Sequence, residues 1–388
     1  MTVVPGLTRL LASHDLDGHR VGLVCNPASV DADLNHAADL VFAMPAVTLG
    51  AIFGPQHGFR SDLQDNMIES AHAADARRRV PVFSLYSETR EPTAEMLKGL
   101  DALVVDLQDI GARIYTFIYT MANCLRAAAR HGIPVIVCDR PNPIGGLAIE
   151  GPVLEPGFES FVGLFPVPMR HGMTIGELAR LFNDQFGIGA NLSIVTMEGW
   201  SRLMFYDETG LPWVMPSPNM PTLDTAVVYP GAVLFEGTQL SEGRGTTRPF
   251  ELLGAPWIDA ERFAADMNVL GLPGARFRPA VFEPTFQKHA RTTCGGCQTH
   301  VADRRRFLPV LTGVALLSRF HKADPARFAW RLPPYEYEHE KMPIDILAGS
   351  ASLRQQIEAG VDPFAIAESW TPGVAEFAQA RQRYLLYS

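Results

Sequence analysis

Short apolar runs punctuate the first half of the chain: 20–25 (RVGLVC), 47–53 (VTLGAIF), 81–85 (PVFSL), 100–107 (LDALVVDL), 133–138 (IPVIVC) and 191–197. Runs of four to eight apolar residues bounded by turn signals, such as Asn26-Pro27, read as buried strands. Helical spacing fills the intervals at 7–16, 34–42, 93–99, 115–131 and 173–186. Gly132 closes one of these helices, and Thr174 with Glu177 has the spacing of a capping box at the start of another. Strands alternating with helices predict a parallel sheet covered on both faces. After Trp257 the texture changes. Helices are expected at 259–268, 305–320, 353–359 and within 363–387, and exposed or alternating strands at 275–282 and 297–302. Residues 330–345 are polar and aromatic without periodicity. The fold class is therefore α/β: a mostly parallel sheet domain over 1–229, then a smaller α+β domain over 230–388.

In open parallel sheets, ligands bind beyond the carboxyl ends of the strands. Polar clusters stand there three times: Gln56-His57-Arg60, Gln108-Asp109-Arg113 and Asp139-Arg140-Asn142. His171 follows a proline-marked loop and stands beside an arginine and a glycine, as His57 does nearby. The stretch 235–251, FEGTQLSEGRGTTRPFE, reads as a loop that gathers Glu236, Glu242, Arg244, Arg248 and Glu251. Carboxylates and guanidiniums on one such loop suit acid–base work and anion recognition. The run WVMPSPNMP, with Asn219, precedes it.

Composition narrows the classes. The formal net charge of −9 argues against nucleic acid or an anionic membrane surface as partner. No stretch reaches the roughly 18 to 20 apolar residues of a membrane span. The N-terminus lacks a basic start and an unbroken apolar core, and the five cysteines form no disulfide framework, so the cytoplasm is the expected compartment. No G-x-G-x-x-G follows the first strand and no P-loop occurs, so no nucleotide cofactor is expected. Cys294-Gly-Gly-Cys297 has metal-ligand spacing, but one pair is half a zinc site; a Gly-Gly turn with two buried thiols is expected, and no metal.

The runs FGPQHGFR, VVDLQDIGARIYTFIYTM, DRPNPIGG, EGPVL, SFVGLFPVPMRHGMTIGELA, LPWVMPSPNMPTLDTAVVYPG, EGTQLSEGRGTTRPFELLGAPW and KHARTTCGGCQTHVAD resemble the NamZ-type exo-β-N-acetylmuramidases. The resemblance runs from residue 20 to the C-terminus. It implies a Rossmann-like domain joined to a smaller C-terminal domain, with the active cleft between them. It also implies release of N-acetylmuramic acid from non-reducing ends of peptidoglycan-derived glycans, without a cofactor. One departure matters. Where the family commonly has P-E-H-G, its glutamate proposed as catalytic, this chain has Pro55-Gln56-His57-Gly58. An amide can neither deliver a proton nor act as a carboxylate nucleophile.

Glycoside hydrolysis needs an acid at the leaving oxygen, so another carboxylate is expected to serve: Glu69 first, then Glu236 and Glu242, with His57 beside them. A 2-acetamido sugar can supply its own nucleophile. Arg60, Arg113 and Arg244 are the candidates for the lactyl carboxylate, with Gln56, Asp109, Asp139, Asn142, His171 and Asn219 as further substrate-binding residues. The alternative is a protein of the same fold that binds an anionic sugar, or has altered specificity, and lacks muramidase activity because of Gln56.

Overall fold

The computed structural model describes residues 2–65 and 67–388. The strands in chain order are β1 (Arg20–Cys25), β2 (Thr48–Gly54), β3 (Ala73–Asp75), β4 (Val80–Ser84), β5 (Ala102–Asp106), β6 (Val135–Cys138), β7 (Glu150–Val153), β8 (Pro168–Arg170), β9 (Leu192–Val195), β10 (Leu252–Ala255), β11 (Ala275–Phe282) and β12 (Cys294–Val301). Seven of them form one sheet in the order β3-β4-β2-β1-β5-β6-β9. All its pairings are parallel except that of β3 with β4 at one edge. Successive residues of the central strands enter opposite cores. Val24, Leu103 and Val105 face one, and Leu23, Cys25, Ala102 and Val104 the other. Both faces are thus covered, which is why these strands are continuous apolar runs rather than alternating ones.

A second sheet, β10-β12-β11, is antiparallel and carries helix Ala260–Val269, against which helix Pro309–Ala323 packs. The fold is the expected α/β domain followed by an α+β unit. Two local expectations change. The Cys294-Gly-Gly-Cys297 run is not a turn but the start of β12. A Cβ at Gly295 would lie 2.0 Å from the Ile258 carbonyl oxygen, and one at Gly296 1.9 Å from that of Leu253, so glycine here allows close backbone approach. The proline-marked stretch before His171 contains β8, paired with β7 in a two-stranded ribbon.

The sheet reverses its direction of winding between β1 and β5, whose carboxyl ends are the usual ligand crevice. Here that crevice is filled. Arg140, on the segment after β6, forms a two-pronged pair with Asp106 (Nε to Oδ1 2.6 Å, Nη2 to Oδ2 2.7 Å) and donates to the Val30 carbonyl. Both side chains are essentially inaccessible to solvent. The open space lies to one side, above the end of β2.

Candidate active site

Strand β2 runs into Pro55-Gln56-His57-Gly58. A Cβ at Gly54 would sit 2.6 Å from the Phe59 amide, so the chain can fold back this tightly only with glycine there. The turn aims Gln56 and His57 into a pocket. Its other walls are 114–117 after β5, 217–220, Tyr229, Glu236 and Arg244 of the charged loop, Phe250, and Tyr335-Glu336.

Glu236 sits on a short 3₁₀ turn, Val233–Gly237. It receives the Arg244 guanidinium at 2.6 Å and the Tyr335 hydroxyl at 2.7 Å. Burial pushes its carboxyl up, but Arg244 and these hydrogen bonds more than offset that, and it ends below the ordinary carboxylate range. Arg244 is the one arginine or lysine among the lining residues, and it lies over the Phe250 ring with 5.0 Å to the centroid. His57 turns Nδ1 to the Leu63 carbonyl at 2.8 Å. Burial drops its pKa to about 4, so it is neutral, with Nδ1 donating and Nε2 left as an acceptor.

Glu336 escaped the sequence reading. It lies on a two-residue turn closed by reciprocal backbone hydrogen bonds between Tyr335 and Glu338, each 2.9 Å. Both central residues have positive φ, 45° at Glu336 and 68° at Tyr337. Such turns favour Asn and Gly, so a Glu-Tyr pair costs backbone energy that its contacts must offset. The Tyr86 hydroxyl donates to Glu336 Oε2 at 2.8 Å, and Gln56 Nε2 approaches Oε1 at 3.3 Å. The Thr116 hydroxyl fixes the Gln56 amide from the other side, donating to its Oε1 at 2.8 Å. Burial raises the Glu336 pKa to about 7, with nearby Glu236 pushing the same way and the Tyr86 hydroxyl opposing.

The other predicted residues divide into two groups. Asn219 lines the pocket and anchors the opposite loop, donating to the Gln64 carbonyl at 2.7 Å. Glu242 stands behind Arg244, 3.5 Å from its Nε and 2.7 Å from Lys288 Nζ. Glu69 lies on an outer groove, half-exposed, where it accepts from the Tyr337 hydroxyl at 3.0 Å. Arg60 is exposed on a separate groove with Phe59 and Asp62.

Asp109, Arg113, Asp139 and Asn142 from the strand ends, together with His171, make contacts within the scaffold. Arg113 is buried and donates to the carbonyls of Pro152, Val167 and Leu347. Asp139 takes the Gly176 amide and the hydroxyls of Thr174 and Tyr387, holding the start of helix Ile175–Gln185. Asn142 bridges the Ile144 amide and the Met173 carbonyl. Asp109 accepts from the Gly111 amide, with His171 Nε2 3.4 Å away; His171 is fully buried.

Residues 21–224 match the sequence model described as exo-beta-N-acetylmuramidase NamZ, N-terminal, and residues 227–387 its C-terminal counterpart. The chain belongs to this family. It is 46% identical over 387 residues to the peptidoglycan beta-N-acetylmuramidase NamZ of Bacillus subtilis, covering 99% of this chain and 91% of that protein. Two crystal structures of DUF1343 family proteins from Bacteroides fragilis share the fold. One has a TM-score of 0.90 at 36% identity, the other 0.78 at 26%, each spanning 100% of this chain and 99% of its own. Family membership makes the chain a glycosidase.

Proposed function

We propose that this chain is an exo-acting glycoside hydrolase that releases N-acetylmuramic acid from the non-reducing ends of peptidoglycan fragments. The observation that carries this reading is the ion pair Glu236–Arg244 on the wall of the pocket that Gln56 and His57 enter. A charged carboxylate facing the ring opposes the positive charge that develops at the anomeric carbon as the glycosidic bond breaks. Arg244, the one cation of the lining, meets the lactyl carboxylate that distinguishes N-acetylmuramic acid from N-acetylglucosamine. Neutral His57 accepts from a sugar hydroxyl, and Asn219 adds a polar contact. We place the domain limit at 229/230, which puts the pocket between the two domains, and the chain in the cytoplasm, where five unpaired cysteines are expected to stay reduced.

A second reading, a sugar-binding protein without turnover, rests on Gln56 alone. Incubation with a chromogenic β-N-acetylmuraminide and the matching N-acetylglucosaminide separates the two. Turnover of the muraminide is expected. No turnover of either, with a thermal shift by free N-acetylmuramic acid, would replace the hydrolase by the binder.

A further inference from the structure

The inner pocket shares lining residues with two outer grooves. One is lined by Met67, Gln239, Arg331 and Tyr337; the other by Glu69, Arg90, Phe161 and Tyr337. Among the described residues, only Glu336 lines the pocket and both grooves. With a terminal sugar in the pocket, the aglycone is assigned to one of these neighbouring grooves. The bond joining them then passes the one side chain common to all three spaces. In one of these grooves Arg90 lies between the Tyr86 and Tyr337 rings, 4.5 Å and 4.2 Å from their centroids.

We infer that Glu336 is the proton donor to the leaving glycosidic oxygen, and that Gln56 is the neutral amide that positions it. The inference rests on the hydrolase reading above and adds the residue that reading lacks. Three features of the geometry support it. The strained Glu336-Tyr337 turn is held by side-chain contacts at the pocket mouth, where strain serves pre-organisation. The hydrogen bonds to Glu336 that the structure shows come from neutral groups, a phenol and an amide, which favour a charged carboxylate less strongly than the guanidinium on Glu236 does. The 3.3 Å approach to Oε1 is long, leaving that oxygen able to carry the proton and present it to the substrate.

The charges agree with the placement. Glu236 is kept ionised by Arg244, while burial keeps Glu336 neutral up to about pH 7. Two carboxyl groups pushed apart in this way divide into an acid and a charge stabiliser. The step balances. The C1–O bond breaks with its electron pair going to the leaving oxygen, which takes the Glu336 proton. Water then adds at C1 and returns a proton to the Glu336 carboxylate.

The test compares wild type, Glu336→Gln, Gln56→Glu and Tyr86→Phe on two substrates. One is the N-acetylmuramyl-N-acetylglucosamine disaccharide, whose alcohol leaving group needs a proton. The other is the 2,4-dinitrophenyl β-muraminide, whose leaving group does not. Glu336→Gln is expected to lose about 10²- to 10⁴-fold on the disaccharide and far less on the dinitrophenyl substrate. The alkaline limb of kcat/KM, near pH 7 in wild type, should vanish with it. Tyr86→Phe removes a donor to the carboxylate, so its limb should move to higher pH. Equal losses on both substrates, or near-wild-type disaccharide activity, would overturn the assignment, as would an unmoved limb in Tyr86→Phe. If wild type is inert on both muraminides and Gln56→Glu restores turnover, the substrate assignment survives and the assignment of Glu336 fails. If every protein is inert on both, the hydrolase reading fails and takes the inference with it.

Discussion

Replacing Glu336 by glutamine removes a carboxyl that the folded chain keeps neutral and the unfolded chain lets ionise. The consequence for stability has a definite sign. Below pH 4.5 the group is protonated in both states and its contribution is fully present. Between 4.5 and about 7 the unfolded chain has released a proton that the folded chain still holds, so stability falls as pH rises. Above about 7 the folded group has ionised too, and the loss is complete. The gap of roughly 2.5 units, at 1.36 kcal/mol per unit, amounts to about 3 kcal/mol. Asp139 and Glu150, each raised to about 7 by burial, contribute falls in the same window, and His57, lowered to about 4, contributes a rise. All three are present in both proteins and cancel in the difference. Urea unfolding followed by tryptophan fluorescence, run from pH 4 to 8, should therefore show wild type losing about 3 kcal/mol relative to Glu336→Gln across that window. A difference between the two proteins that stays constant with pH would show that the Glu336 carboxyl is not held neutral, and the argument from burial would be wrong.

Arg244→Gln should cut the preference for N-acetylmuramic acid over N-acetylglucosamine by about 2 to 5 kcal/mol if the lactyl carboxylate is desolvated against it; calorimetry with both free sugars measures this, and an unchanged ratio sinks the pairing. The ratio matters because Arg244 also holds Glu236, and that loss falls on both sugars alike. Arg140→Met leaves the Asp106 carboxylate buried and unpaired, which should cost about 3 to 5 kcal/mol in urea unfolding, with Asp106→Leu added in the same chain restoring most of it. Full activity is expected after exhaustive chelation, since no three His, Cys, Asp or Glu residues converge among the described residues; a loss reversed by zinc or magnesium would contradict this.

The fold was legible because its signals are local. The central strands are buried on both faces, so their apolar runs are unbroken, and the capping box at Thr174 and Glu177 is present as its spacing indicates. The charged loop was legible too: Glu236 and Arg244 reach the pocket because glycines at 243 and 245, both at positive φ, let a polar loop turn inward. Of the three strand-end clusters, the first brings Gln56 and His57 to the pocket, while the other two make hydrogen bonds within the scaffold. A carboxylate after a strand is as well suited to the unpaired amides of a neighbouring helix as to a ligand, and Asp139 is used in that way. Arg113 is used within the scaffold too, since a guanidinium satisfies buried carbonyls as readily as a substrate anion. Glu336 was not legible from periodicity because a two-residue turn has none. The available signal was compositional: two glutamates interleaved with tyrosines directly after Pro333-Pro334, in a segment too aromatic to be a solvated loop.

The departure at residue 56 acquires a physical meaning once Glu336 is in place. A glutamate at 56 would bring a second carboxyl to within about the 3.3 Å that now separates Gln56 Nε2 from Glu336 Oε1. Two carboxyls at that distance cannot both ionise, and they share one proton as a pair. The amide removes that coupling. It donates a hydrogen bond without adding charge, and its own oxygen is committed to Thr116, so its NH₂ group faces Glu336. The pocket then has one carboxyl with a cationic partner and one with neutral partners. The cationic partner keeps Glu236 charged, and burial holds Glu336 protonated against the opposing pull of its two hydrogen-bond donors. A chain that merely lost its acid at 56 would have no need to hold a second glutamate in a strained turn, buried, at the junction of all three cavities.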